Sequence, residues 1–228
     1  MCTKTDFTIV LDLDDTLIKS WEYPYWLDDY NIYNDINLYK YFYPQNKNSL
    51  AYSIYCESDV KSKKIKLWGI ERPYLRDFLQ FCQLYFKNII VWSAGKEFYV
   101  YDISKQIFYN NNLNPPALIW TRNECSYDTK KKIYHKPLNK LSSEIDIDIK
   151  KIFIIDDKKI TFQDNEDNGI LIPEWAPGKK RKEEIPLISD LKDRSDQALK
   201  ELQKWFMNDE VILSQDIRLL NKKNIFTF

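Results

Sequence analysis

The chain has 228 residues, 44% hydrophobic and 30% charged, with 34 Lys and Arg set against 34 Asp and Glu. That suits one domain with a full core, expected over residues 1–228, and the zero net charge provides no field to gather nucleic acid or an anionic membrane surface. No apolar run reaches the roughly 18 residues of a membrane span, the first residues lack the apolar stretch of a secretory signal, and Cys2, Cys56, Cys82 and Cys125 are too scattered for a disulfide framework.

The first apolar run, residues 7–11, reads as a short buried strand that leads straight into Asp12, Asp14 and Asp15. Residues 19–66 break the rhythm. They are dense in Tyr and Trp and read as an insertion after strand one, either a small satellite core or an aromatic wall beside a site. Helical spacing of Leu75, Phe78, Leu79, Cys82 and Phe86 predicts a helix over 73–86, with Pro73 at a tolerated first-turn position. Residues 88–92 read as a second strand ending at Ser93, residues 96–111 as a helix, and 117–120 as a third strand after Pro115-Pro116. Residues 151–156 form a fourth strand leading to Asp156-Asp157, and 169–173 a fifth. The run 177–184, rich in Lys and Glu, reads as a solvated loop. Residues 193–207 read as a helix, with another after it.

Strands alternating with helices imply an α/β fold with a parallel sheet flanked by helices. Ligands of such sheets bind beyond the carboxyl ends of the strands. Asp12, Ser93 and Asp156-Asp157 all follow strands, so three strand ends deliver polar groups to one edge. In an extended segment Asp12 and Asp14 point the same way. Two such carboxylates repel unless a cation lies between them or one is protonated. A Mg²⁺ ion held by oxygens satisfies the first condition, and a nucleophile paired with an acid satisfies the second. Lys136 is a candidate cation, but Lys130, Lys131, Lys132 and Lys140 lie near it in sequence. His135, the single histidine, reads as a surface or hydrogen-bonded residue, and Arg72 as an anchor for the helix start.

These residues carry a resemblance. "DLDDT" is similar to the first motif, Asp-x-Asp-x-Thr, of the haloacid dehalogenase (HAD) superfamily. "ERPYLRDFL", "NIIVWSAG", "TRNEC", "YHKPLNKLS", "IFIIDDKKITF" and "NGILIPEW" follow in the order of its FCP/SCP branch, the small C-terminal-domain phosphatases. The resemblance covers residues 7–207, with the insertion its poorest part. It implies a HAD-like Rossmannoid sheet and an aspartyl-phosphate mechanism. Asp12 would be the nucleophile, and Asp14 the general acid and base whose backbone carbonyl also meets Mg²⁺. Ser93 would bond a phosphoryl oxygen, and Lys136 would neutralise charge. Asp157 would ligate the metal, with Asp156 behind it. Thr16, steadying the first-motif loop, and Arg122, near the substrate channel, would serve substrate binding. Two departures stand out: Ser93 replaces the usual Thr, and the insertion is longer and richer in Tyr than the family's.

The expected activity is a Mg²⁺-dependent protein serine/threonine phosphatase acting on a flexible, proline-containing phosphorylated tail, such as that of RNA polymerase II. No nucleic-acid or membrane partner is expected, and the setting is intracellular, nuclear or cytoplasmic. Two alternatives remain. One is a catalytically silent peptide-binding or tethering module of the same fold. The other is a superfamily phosphatase acting on a small molecule or a nucleic-acid end.

Overall fold

Strand β1 (Thr8–Leu11) is fully buried, as an uninterrupted apolar run at the centre of a sheet must be. The computed structural model describes residues 4–22, 30, 38, 42, 51–57, 64–178 and 187–226, with backbone alone for 54–57 and 64. After β1 come three strands of a separate antiparallel sheet: β2 (Ile18–Glu22), β3 (Ala51–Glu57) and β4 (Lys64–Glu71), in the order β2-β4-β3. Helix α1 (Leu75–Tyr85), β5 (Asn88–Trp92), α2 (Glu97–Asn110) and β6 (Leu118–Trp120) resume the α/β alternation. A small hairpin, β7 (Ser126–Asp128) and β8 (Ile133–His135), leads into α3 (Leu138–Glu144). Then follow β9 (Ile152–Asp156), β10 (Gly169–Leu171), α4 (Ile188–Lys192), α5 (Ala198–Phe206) and α6 (Asp209–Ile212).

The main sheet is parallel throughout, in the order β10-β9-β1-β5-β6. From β1 the chain steps outward through β5 and β6, then crosses to β9 on the other side. The topological switch point is therefore at β1, where such sheets open a crevice at their carboxyl edge. Alternate residues serve alternate faces. Ile9, Leu11, Val91, Phe153 and Ile155 pack with α1, α2 and α5. Val10, Ile90, Trp92, Ile152 and Ile154 pack with α3. Two buried faces explain why these strands read as continuous apolar runs rather than alternating ones.

The predicted elements match within a few residues, with one instructive exception. The helix expected over 193–207 begins only at Ala198. The Asp196 carboxylate accepts from the Ala198 backbone N–H at 3.2 Å and from Arg72, so it serves the turn before the helix instead of extending it. Described parts of the 19–66 segment form a satellite core. Trp68 is fully buried against Trp21 and Phe42, with Trp175 and Leu191 closing it from the main body. Tyr23, Tyr25, Trp26, Tyr33, Tyr39, Tyr41 and Tyr43, and residues 179–184 of the charged run, lie outside the described residues.

Glu71 at the end of β4 carries a testable consequence. Burial pushes its carboxyl from 4.5 up to about 7, against the pull of the Asn111 amide at 3.2 Å and of Arg194 and Arg76. A raised folded-state pKa means that stability is fully present below the unfolded value and is lost as pH rises through the folded one. Glu71→Gln, uncharged at every pH, is expected to raise the melting temperature above neutrality, by on the order of 1–3 kcal/mol of stability. The gain should vanish in mildly acid buffer. Equal effects at both pH values in thermal melts would refute this.

Candidate active site

The register of the sheet assembles the site. Leu11 lies opposite Ile155 on β9 and Val91 on β5. The next residue on β1 is Asp12, which is therefore level with Asp156 and flanked on the other side by the end of β5 and Ser93. Asp12 and Asp156 also share the α3 face of the sheet, the side from which the β7–β8 hairpin delivers Lys136. The Lys136 backbone N–H donates to the Thr161 carbonyl at 2.6 Å, which fixes its approach.

The Lys136 ammonium is 1% exposed and lies 2.6 Å from both Asp12 Oδ1 and Asp156 Oδ2. Burial alone would lower its pKa, but the two carboxylates win and raise it, so it is a fixed positive charge. Asp12 is pushed up to about 8, first by burial and then by Asp156, with Lys136 opposing. Asp157 is raised by burial despite Lys158, whose ammonium is 3.6 Å away. Asp12, Asp156 and Asp157 each present an oxygen within 4.8 Å of the others. Asp12 and Asp156 share the one buried ammonium, and Asp157 has beside it only the half-exposed Lys158. Hard oxygen donors at this spacing suit a small divalent cation such as Mg²⁺, and a bound cation would reverse the upward push on Asp12.

Asp14 is not part of that cluster. The chain leaves the extended conformation after Asp12: Thr16 and Leu17 N–H groups return to the Leu13 carbonyl at 3.3 and 2.8 Å, and Asp15 has φ 63°. The carboxylate of Asp14 does not join the grouping of Asp12, Asp156 and Asp157, although its charge still reaches Asp12 and helps to push that carboxyl up. The Asp14 carboxylate instead accepts the Tyr99 hydroxyl. Burial raises its pKa while the Tyr99 bond opposes. Asp15 pairs with Lys19 at 2.6 Å and takes no part in the cluster.

The remaining predicted residues hold loops together. Thr16 is fully buried, and its hydroxyl accepts the Asp157 N–H at 3.1 Å, joining the β1 loop to the β9 loop. Ser93 is 3% exposed, and its hydroxyl accepts the Gly95 N–H at 3.1 Å. Arg122 donates through Nε to the Ala94 carbonyl at 2.8 Å, and its guanidinium lies 4.9 Å from the Tyr134 ring centre. It thereby braces the Ser93–Gly95 turn. His135 pairs through Nδ1 with Asp164, the hydrogen-bonded role expected of it. Arg72 reaches well beyond its helix start. It binds Asp196 with two hydrogen bonds and also donates to the Thr16 and Pro173 carbonyls at 2.9 and 2.8 Å.

The family model of the NLI interacting factor-like phosphatases matches residues 7–204. The chain belongs to this family. An alanine variant of the fission yeast RNA polymerase II CTD phosphatase Fcp1, bound to beryllium fluoride, is similar at a TM-score of 0.59 and 18% identity, over 88% of this chain and 49% of that one. Another structure of Fcp1, described as an essential RNA polymerase II CTD phosphatase, is similar at 0.62 and 16% identity, over 88% of this chain and 61% of that one. This chain therefore spans roughly half to three-fifths of those structures, and at such identity the likeness is one of fold. A comparison with curated protein sequences finds no match.

The family fold accounts for the parallel sheet and for the order of the motifs. The sequence reading missed Tyr99 as a partner of Asp14. The available signal was weak: one of two tyrosines in "KEFYVYD", six residues after Ser93. Lys158, close to both Asp157 and Asp15, was missed for the same reason, as one lysine beside another.

Proposed function

We propose that this protein is a Mg²⁺-dependent phosphoserine/phosphothreonine phosphatase, a single domain over 1–228 with 19–66 as its insertion, working inside the cell. The observation that carries the reading is the Lys136 ammonium bridging Asp12 and Asp156 at the switch-point edge of the sheet, beside Asp157. A tether would not need the whole set of Asp12, Asp14, Lys136 and Asp157, whereas a phosphatase needs each of them.

Lys136 fixes one oxygen of Asp12 and so orients the carboxylate, whose electron pair attacks phosphorus. The bond to the serine or threonine oxygen breaks, and that oxygen takes a proton from Asp14. Asp14 then removes a proton from a water that attacks the aspartyl-phosphate, releasing inorganic phosphate and restoring Asp12. Ser93 and the turn braced by Arg122 would bind phosphoryl oxygens, and Lys136 would offset their charge. Asp12, Asp157 and the Asp14 carbonyl would hold Mg²⁺, with Asp156 supporting; the ion would supply neutralisation of phosphoryl charge. The likeness to phosphatases of the RNA polymerase II CTD supports a phosphorylated protein tail as substrate.

The test is hydrolysis of phosphoserine and phosphothreonine peptides, sugar phosphates and 3′-phosphorylated oligonucleotides, with Mg²⁺ or EDTA. Turnover of the peptides that EDTA abolishes and Mg²⁺ restores is the expected result. Mg²⁺ should also raise the melting temperature of the wild type but not of Asp157→Asn, by the linkage of binding to folding. A well-folded wild type without turnover would move the tether to the front, and preference for another phosphoester would reassign the substrate.

The pH dependence follows from Asp14. Burial keeps its proton bound to higher pH than an ordinary carboxyl, so acid catalysis holds in mildly acid buffer and fails as pH rises. The alkaline limb of kcat/KM should belong to Asp14 and flatten, at much lower activity, in Asp14→Asn. An unchanged alkaline limb in that variant would assign it to another group.

A further inference from the structure

Three residues lie side by side across the antiparallel sheet: Ser20 on β2 pairs with Gly69 on β4, which pairs with Tyr52 on β3. A side chain on Gly69 would stand 2.3 Å from the Cζ and hydroxyl of Tyr52 and 2.7 Å from the Lys19 carbonyl. Glycine therefore lets the Tyr52 ring lie flat over β4. The ring crosses that strand, and its hydroxyl reaches Ser20 Oγ at 2.7 Å. Ser20 Oγ in turn lies 2.8 Å from the Tyr99 hydroxyl, which donates to Asp14.

Each hydroxyl carries one proton. Tyr99 spends its proton on Asp14, so Ser20 donates to Tyr99 and Tyr52 donates to Ser20. The result is a one-way chain of hydroxyls from the insertion to the carboxylate, in which each bond polarises the next. Tyr52 is fully buried, so the far end of the chain is anchored.

We infer that Tyr99 is a positioning residue for Asp14, and that the insertion, through Tyr52 and Ser20, sets where Asp14 is held. This rests on the phosphatase reading above. The insertion is thus part of the catalytic scaffold as well as a satellite core. The consequence is a division of labour: Asp14 is held apart from Asp12, Asp156 and Asp157, which share the cation site, and is reserved for proton transfer. Without Tyr99 the carboxyl gains rotamers and is displaced from the leaving oxygen.

A displaced acid matters in proportion to the leaving group's need for a proton. An alkoxide leaving from phosphothreonine needs one, whereas nitrophenolate does not. The experiment measures single-turnover phosphorylation of the full chain by a phosphothreonine peptide and by p-nitrophenyl phosphate, for wild type, Tyr99→Phe, Tyr52→Phe, Asp14→Asn and the Tyr99→Phe/Asp14→Asn double variant. Tyr99→Phe should slow the peptide reaction by about tenfold and the nitrophenyl reaction by less than about threefold, with KM little changed. It should add nothing in the Asp14→Asn background. Tyr52→Phe should show the same selectivity at smaller size.

Equal losses on both substrates, or additive losses with Asp14→Asn, would reduce Tyr99 to a structural residue and overturn the inference. Full activity of Tyr52→Phe beside an impaired Tyr99→Phe would overturn the link to the insertion. A wild type inactive on both substrates would instead defeat the phosphatase reading, and this inference with it.

Discussion

Replacing Asp12 with Asn is expected to abolish turnover, lowering kcat by roughly 10⁴-fold or more, the scale of losses when a nucleophile is removed. The substitution keeps shape and volume. It also keeps an oxygen that can accept from the Lys136 ammonium, now 2.6 Å from Asp12 Oδ1. What it removes is the charge and electron pair that attack phosphorus. Folding should survive: burial works against the Asp12 carboxylate, so a neutral amide relieves a desolvation cost while forfeiting part of an ion pair. Activity and stability therefore separate in this variant. The check is kcat on a phosphopeptide beside a thermal melt. A folded Asp12→Asn protein that retained kcat to within about an order of magnitude would place the nucleophile elsewhere. Lys136→Met should behave differently, because it leaves Asp12 and Asp156 as buried like charges and damages stability as well as rate.

Loss of Arg72 is expected to have the largest effect on stability. Its side chain is fully buried and binds Asp196 through Nε and Nη2 at 2.9 and 2.8 Å. It also supplies the hydrogen bonds to the carbonyls of Thr16 and Pro173. Three distant segments meet at one guanidinium: the loop after β1, the segment after β10, and the turn before α5. Arg72→Ala leaves these acceptors without donors and opens a cavity. Breaking a buried pair from one side costs about 3–5 kcal/mol. At about 2–4 °C per kcal/mol for a chain of this size, the melting temperature should fall by roughly 6–20 °C. Arg72→Lys should recover little, since a point-like ammonium cannot serve a carboxylate fork and two carbonyls together. Because Thr16 belongs to the loop carrying Asp12 and Asp14, kcat should fall too. A loss below about 1 kcal/mol in denaturant titration would show that the acceptors find other donors.

How much of this was legible depends on how far apart the partners lie. The strands ending at Leu11, Trp92 and Asp156 were readable because a sheet buried on both faces requires continuous apolar runs, a local property of the chain. The carboxylates and Ser93 were readable because strand ends in a parallel sheet lie at one edge. The antiparallel sheet built on β2, β3 and β4 was read only as an aromatic insertion. Its pairing joins residues around 20, 52 and 69, and no local period encodes that register. The β7–β8 hairpin was missed because its short strands, Ser126–Asp128 and Ile133–His135, mix polar and apolar residues and form no apolar run. That hairpin is what distinguishes Lys136 from its lysine neighbours. In the sequence it is one of several; in the fold it is the one among them that pairs with Asp12 and Asp156.

The sequence by itself determined the class of the fold, the edge of the sheet that carries the polar groups, and the residue types available there. Each of these follows from hydrophobic periodicity and the order of elements along the chain. Only the tertiary structure decided which charges neutralise one another and which proton donor serves which carboxylate. Lys136 with Asp12, 124 positions apart, Tyr99 with Asp14, 85 apart, and Arg72 with Asp196, 124 apart, are brought together only by folding. Such pairings are set by the packing of whole elements, and their strength by the burial that removes water from around them, and neither quantity exists until the chain has closed on itself.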